Sequence, residues 1–242
     1  MRRRIRIVAC VASLIVLAGL LGWGFAGLPH FGEFAGHYGE ILNHAAVGER
    51  HATNVVAAIV FDYRGVDTMG EEFILFASVL AVALLLREAR DRERERPPDE
   101  VESDAVRAVG SMMVPVTVLL GLAIVAHGYI TPGGGFQGGA ACAAGLVLMY
   151  AAGRYSAYRA ANPQWLLELA EGTGAGGYVA VGIAALFTGS AFLANVLPLG
   201  TTGELPSSGT IAALNAAVGL EVAAALVLLY HEFLEELMDP SA

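Results

Sequence analysis

Long stretches without a charged side chain alternate along this chain with short segments that gather most of the Arg, Asp and Glu. A helix needs about 20 mainly apolar residues to cross a bilayer, because hydrocarbon offers no partner for an unpaired backbone group. Residues 7–28 are the first such stretch and carry no charge. Residues 73–86 are strongly apolar but short, and reach spanning length only by taking in Glu71 and Glu72. A separate apolar stretch at 52–61 precedes them and is expected to lie on or partly in the membrane. Residues 108–153 contain no Asp, Glu, Arg or Lys, and their length suits two helices broken by a Pro-Gly run. A fifth span is expected within 172–203, ending near Pro198, and a sixth within 205–230, interrupted by Glu221. The pattern predicts an all-α integral membrane protein with about six transmembrane helices.

The flanks of these stretches set the orientation. Arg2, Arg3, Arg4 and Arg6 precede the first span, as in a signal peptide. Its apolar run is too long for a typical signal and no small-x-small site follows promptly, so a retained anchor is expected. Cytoplasmic loops collect Lys and Arg. Six spans place twelve of the 14 basic residues on the side of the termini and leave Arg50 and Arg64 on the other. Both termini are therefore expected in the cytoplasm. Every basic residue is Arg; the chain has no Lys.

Composition agrees with a membrane chain: 56% of residues are hydrophobic and 15% charged, against about 25% charged in soluble domains. The net charge of −9 gives no reason to expect nucleic acid. Cys10 and Cys142 both lie in apolar stretches and read as buried free thiols. No catalytic residue, cofactor or metal site is expected.

Charge also divides the chain. From Arg87 to Arg96, Arg alternates with Glu or Asp, and Glu88 and Arg92 have the spacing of a helical ion pair. This segment is expected to extend the second helix as a solvated stalk that ends at Pro97-Pro98. The division predicted is a two-span module at 1–86, a charged linker at 87–106 and a four-span module at 107–242.

The most distinctive segment is His127-Gly-Tyr-Ile-Thr131-Pro132-Gly133-Gly134-Gly135-Phe136-Gln137-Gly138-Gly139. Gly133, Gly135 and Gly138 spell G-x-G-x-x-G, but a dinucleotide loop requires a preceding strand and an acid about 20 residues on. Both are missing here. Two readings stay open. One is a tight turn ended by Pro132, with Gly135 and Gly139 letting another helix approach closely. The other is a broken helix whose freed backbone groups line an ion path.

This run resembles the signature of the B-subunit (MnhB-type) domain of Mrp-type multisubunit Na⁺/H⁺ antiporters. The resemblance covers about residues 107–236 and includes Asn195-Val-Leu-Pro-Leu-Gly200. The stretch from Asn54 through Asp62, Arg64 and Asp67 to Glu71 resembles a segment near the C-terminal end of the large A-type chain in the same antiporters. Membrane-bound hydrogenases carry a similar segment as a separate small, MbhE-like subunit. The resemblance implies a subunit of a large complex related to respiratory Complex I, in a bacterial or archaeal cell membrane. Implied partners are membrane subunits of the A, C, D, E, F and G types, with Na⁺ and H⁺ as the ions moved. Antiporter-like subunits of such complexes carry intramembrane lysines, so a lysine-free chain is expected to be accessory. A subunit of a membrane-bound, hydrogenase-like redox complex is the alternative. A stand-alone transporter fits less well, because no internal repeat is visible.

Ionisable groups inside membrane spans are costly and point to function. Glu221 is the strongest candidate for an ion or proton path, with an interhelical hydrogen bond as its structural alternative. His127 ends the third span and suits either an interfacial role or the path. Asp62, Arg64, Asp67 and Glu71 form either an interfacial ion-pair cluster or a point of ion access. His30, His37, His44 and His51 recur every seven residues, with Glu33 and Glu40 between them. Ligands seven apart on a helix lie about 10 Å from each other and cannot share one ion. With Gly32, Gly36, Gly39 and Gly48 among them, an exposed polar loop is expected, with a pH-sensitive surface as the alternative.

Overall fold

The computed structural model describes residues 2–28, 36–89, 103–153 and 155–237. Among them lie nine α-helices: α1 (Arg2–Ala26), α2 (His37–Arg50), α3 (Val55–Ala58), α4 (Gly65–Ala89), α5 (Asp104–Ala126), α6 (Gly135–Ala152), α7 (Tyr155–Ala161), α8 (Gln164–Leu186) and α9 (Thr210–Leu237). A five-residue π-helical turn, Ile59–Tyr63, continues α3. Six helices are long and apolar enough to cross a membrane: α1, α4, α5, α6, α8 and α9. The protein is a multi-pass membrane protein.

The residues up to Ile41 form one compact unit and those from Leu42 another. The first holds α1, whose Leu14, Ile15 and Trp23 are exposed apolar side chains. The second is built around α9. Some 61% of the spanning window of α9 is buried, against 33% or less for every other span, which makes α9 the axis of the bundle. Helices α4, α6 and α8 pack on it, and α5 packs mainly on α6. Small residues make this possible: Ala224, Ala225 and Gly219 keep the surface of α9 narrow, so neighbouring backbones come close. The outer helices turn apolar side chains such as Leu119, Leu120 and Leu122 away from the bundle, as a hydrocarbon solvent requires.

Several boundaries differ from the sequence expectation, each for a physical reason. The fifth span is Gln164–Leu186 and not a segment of 172–203 ending near Pro198. Glu168 and Glu171 fall before 172, outside the expected span. Glu171, however, is 3% exposed and faces protein instead of lipid, so the helix tolerates it. Residues 187–209 form turns and extended segments with positive φ at Gly189, Leu193, Gly200, Gly203, Ser208 and Gly209. The sixth span accordingly starts at Thr210, not within 205–209, and runs past Tyr230 to Leu237. The second span begins at Gly65, so Glu71 and Glu72 lie inside it. The segment at 52–61 is part of the core, with Ala52, Ala57, Ala58 and Phe61 buried.

Residues 37–50 are helical, not a loop. Gly39 and Gly48 weaken that helix but do not prevent it. His37 and His44 sit on it in exposed positions, while His30 and Glu33 lie outside the described residues. The charged stalk beyond Ala89, with the pairing of Glu88 and Arg92, also lies outside them. Helix α7 had no counterpart in the expectation; its Tyr155 and Tyr158 are buried beside the end of α9.

Candidate functional site

Helix α5 ends where the backbone of His127 leaves helical geometry. The exposed His127 ring bonds through Nδ1 to the Ala123 carbonyl of its own helix at 2.9 Å. The chain then folds back, with the N–H groups of Ile130 and Thr131 both donating to the His127 carbonyl at 2.8 Å. Pro132 supplies no donor, and Gly133 and Gly134 adopt φ of 148° and 151°, a region that side chains with a Cβ rarely enter. Helix α6 starts at Gly135. The run is therefore a turn between two spans and the start of the second.

Its remaining glycines hold the turn against the bundle. A Cβ on Gly139 would lie 2.7 Å from the Gly219 carbonyl oxygen and 3.0 Å from Val222 of α9. One on Gly138 would lie 2.5 Å from Val125 of α5. Gly135 meets the Asn215 carbonyl as closely. Within this chain, α6 thus has backbone-level contact with α5 on one side and α9 on the other.

Two asparagines clamp the turn. Asn215 donates through Nδ2 to the Val125 carbonyl at 2.6 Å, and its Oδ1 accepts from the Gly135 N–H at 2.6 Å. Asn54 caps α3 by accepting from Val56 and Ala57, and donates to the Gly128 carbonyl at 2.6 Å. Nearby, the Asn54 N–H donates to Tyr129 and the Thr53 hydroxyl to Ile130. The His51 Nδ1–H donates to Gly200 at 2.6 Å, and Tyr129 donates to the Leu205 carbonyl. Asn195 accepts from the Thr210 N–H at 2.8 Å, closing the start of α9. Segments 51–54, 127–139 and 195–210 therefore meet in one hydrogen-bonded layer at one end of the bundle. Asn54 and Asn195 stood in the sequence only as members of longer motifs, and Asn215 gave no sign of its role.

The acids of the N-terminal motif divide into two pairs. Arg50 Nε donates to Asp62 Oδ1 at 2.7 Å, and Arg64 pairs with Asp67 three residues on. Both pairs border an open cavity of 670 Å³ that reaches Asn195. The Arg50 guanidinium also lies 5.1 Å from the Tyr63 ring centre, and the Tyr63 hydroxyl donates to Glu49 at 2.9 Å. Burial would lower the pKa of Arg50, but the hydrogen bond and charge of Asp62, with Tyr63 and Glu49, turn the net shift upward. Burial first, and then the Glu49 carboxylate, push Tyr63 up to about 12.

Glu71 and Glu72 diverge although adjacent. Glu71 is exposed and Glu72 is 5% exposed, and both reach a cavity of 250 Å³ whose far wall is Gly133 to Gln137. Deeper in the bundle stands Glu221, which is fully buried, with neither carboxyl oxygen hydrogen-bonded among the described residues. The carboxyls of Glu72 and Glu171 are both within electrostatic range of it. Glu72 comes nearest, although no hydrogen bond of normal geometry joins the two. Gly174 allows this arrangement, since a Cβ there would sit 2.6 Å from that of Glu221. Glu171, one turn earlier on α8, also keeps an unpartnered oxygen. Of this trio the sequence singled out Glu221 alone. Glu72 was counted only toward helix length, and Glu171 fell just outside the expected fifth span.

At the far end of α9, the His231 ring meets Glu235 at 3.1 Å, and Arg159 pairs with the same carboxylate at 3.2 Å. Burial pushes the pKa of the adjacent Tyr158 hydroxyl up. Among the described residues, no three His, Cys, Asp or Glu side chains converge as ligands for one metal ion.

Residues 105–228 match the family described as a domain related to the MnhB subunit of Na⁺/H⁺ antiporter, and residues 2–101 match the MbhE family, the E-type subunit of MBH. An uncharacterized protein of Methanocaldococcus jannaschii is 32% identical over 198 residues, which is 72% of this chain and 74% of that protein. A probable K⁺/H⁺ antiporter A/B-type subunit of Rhizobium meliloti is 35% identical over 130 residues. That match takes in 45% of this chain and only 13% of the relative. Among solved structures, a chain of the membrane-bound sulfane sulfur reductase, an archaeal respiratory membrane complex, is similar with a TM-score of 0.74 and 31% identity. The match covers 95% of this chain and 98% of that one. A chain of the Mrp complex from a Dietzia species gives a TM-score of 0.71 at 25% identity, covering 96% of this chain and 26% of that one.

Proposed function

The chain belongs to the family of domains related to the MnhB subunit of Na⁺/H⁺ antiporters, and we propose that it is an accessory membrane subunit of a multisubunit cation (Na⁺)/proton antiporter related to Complex I. The observation that carries this reading is the layer in which segments 51–54, 127–139 and 195–210 bond to one another. Those segments hold the motifs of both resemblances, one A-type and one B-type. Their joint network supports two neighbouring subunits fused in one chain, as modules 1–86 and 107–242 about a charged linker at 87–106. The arginine distribution supports cytoplasmic termini. Within the complex, Glu221 and Glu71 are our candidates for the ion or proton path. Asp62 and Asp67 are candidates at its rim and His127 beside it, with Thr131 to Gly139 acting mainly in helix packing and subunit contact.

The test is purification of the tagged chain from its native membrane. It is expected to bring down several membrane subunits, and Na⁺/H⁺ exchange in everted vesicles is expected to require them all. Robust exchange by this chain alone would overturn the accessory role. A second reading, a structural subunit of a membrane-bound redox complex, is favoured by the end-to-end similarity to a chain of the sulfane sulfur reductase. Co-purification of iron–sulfur proteins in place of antiporter-type subunits would decide for it.

A further inference from the structure

Two cavities reach the bundle at different levels along α9, and the buried carboxyl of Glu221 stands between them. The first is the 250 Å³ cavity behind the glycine turn, which meets Glu72 on α4 and Val218 on α9. The second, of 370 Å³, opens between α4, α8 and α9, and meets Glu168, Glu171 and Glu232. On α9 the first cavity ends at Val218 and the second begins at Leu228. At 1.5 Å per residue that gap is about 15 Å, and Glu221 stands inside it. On α4 the first cavity ends at Glu72 and the second begins at Phe76, about one turn further on. Glu72 and Glu171 thus stand one at each cavity, with Glu221 between them.

We infer that Glu72, Glu221 and Glu171 form a proton relay through this chain, joining the cavity behind the glycine turn to the groove between α4 and α8. The inference rests on the antiporter reading above and specifies the ion and the route. Three physical points support it. Glu221 is wholly buried with both oxygens unpartnered, whereas an acid retained only to tie helices together would be hydrogen-bonded. Holding an ionised carboxylate in such a site is costly. A neutral carboxylic acid avoids that cost and both donates and accepts a hydrogen bond, which is what a proton carrier needs. The three carboxyls also lie in sequence along the bundle and do not surround a point, and no three ligands converge on one ion among the described residues. Protons suit such a line better than a metal cation does. In each step an acid gives its proton to the neighbouring carboxylate, directly or through water, and becomes the carboxylate itself. No electron changes owner.

Gly174 belongs to the device, because α8 could not bring Glu171 and Glu221 this close with a side chain there. Glu71 and Glu168 are exposed residues lining the first and the second cavity.

The test uses the complete complex in proteoliposomes, with proton movement read by a pH-sensitive dye under a Na⁺ or K⁺ gradient. Glu221→Gln is expected to lower exchange at least tenfold with the composition of the complex unchanged, Glu171→Gln at least fivefold, and Glu221→Asp less than Glu221→Gln. Glu204→Gln, in an exposed loop, is the control. A second arm is independent of transport. A hydrophobic carbodiimide reacts with protonated carboxyls in apolar surroundings, and mass spectrometry of the labelled wild-type complex is expected to find the adduct on this trio. Wild-type exchange in both Gln variants, or a trio that stays unlabelled, overturns the relay and leaves the antiporter reading intact. If the wild-type complex exchanges no cation for protons, the antiporter reading fails, and the labelling alone decides the relay.

Discussion

The half-buried layer at the glycine turn and the buried acids beside the bundle axis are both polar, and they treat their polar groups in opposite ways. At the turn, Asn215 and Asn54 place side-chain donors on the carbonyls of Val125 and Gly128, and Asn215 accepts from Gly135. Around Glu221, carboxyl oxygens of three different helices lack such partners. A satisfied buried network rigidifies a fold, and an unsatisfied one calls for an explanation outside the fold. The difference assigns stability to the first region and chemistry to the second. It is the difference that the proposed relay requires, with the motif that identifies the family holding helices together and the acids behind it left as the proposed proton carriers.

The largest effect expected from breaking this division is at Gly139. Gly139→Val places a branched side chain where even a Cβ would lie 2.7 Å from the Gly219 carbonyl oxygen of α9. Backbone cannot yield as a flexible side chain does, so α6 and α9 must separate. A loss of about 3 kcal/mol or more is expected, read as disappearance of assembled complex in detergent-stable size-exclusion profiles. Transport would fall only in proportion to that loss. A variant that assembles normally yet does not transport would move the turn into the ion path.

A sharper contrast comes from two substitutions on one helix. Asn215→Ala orphans the Gly135 N–H and the Val125 carbonyl, and is expected to cost about 2 to 4 kcal/mol. Glu221→Gln, six residues later, replaces an unpartnered acid with a neutral isostere. Its stability is expected within about 1 kcal/mol of wild type, or above it. Thermal unfolding of the purified complex checks both. If Glu221→Gln proves the more destabilising of the two, the acid is structural and the comparison collapses.

The number of spans and the break between α5 and α6 were legible in the sequence, because lipid imposes length and apolarity and because Pro132 and the glycines after it admit few backbone paths. The acid trio was legible only in part. Glu221 interrupts an otherwise apolar helix and so announces itself. Glu171 lies near Gln164 and Glu168 at the start of α8, where linear hydropathy reads three polar residues as a loop. Only the facing of Gly174 and Glu221, 47 positions apart in the chain, turns Glu171 into a core residue. Asn215 was hidden for the same reason, since its partners come from α5 and α6. The helix at 37–50 was missed because its glycines were weighed by propensity, and about 1 kcal/mol each is easily overridden.

The smallest expected effect lies at the rim, where Tyr63 offers a check that involves neither turn nor trio. Its hydroxyl donates to Glu49 and is pushed up to about 12 by burial and by that carboxylate. A group whose pKa is raised by folding contributes stability that is fully present below its unfolded value of about 10. That contribution is lost as pH rises through about 12. Tyr63→Phe removes it, so the variant should be slightly less stable than wild type at pH 8. The gap between the two should close between about pH 10 and pH 12. Melting curves across that window read the effect, with transport at neutral pH nearly unchanged, because the Arg50–Asp62 pair beside it stays in place. A Tyr63→Phe complex that assembles and melts as wild type yet loses exchange would draw the open cavity at Arg50 and Asp62 into the path, and the division between a structural rim and a chemical interior would have to be redrawn.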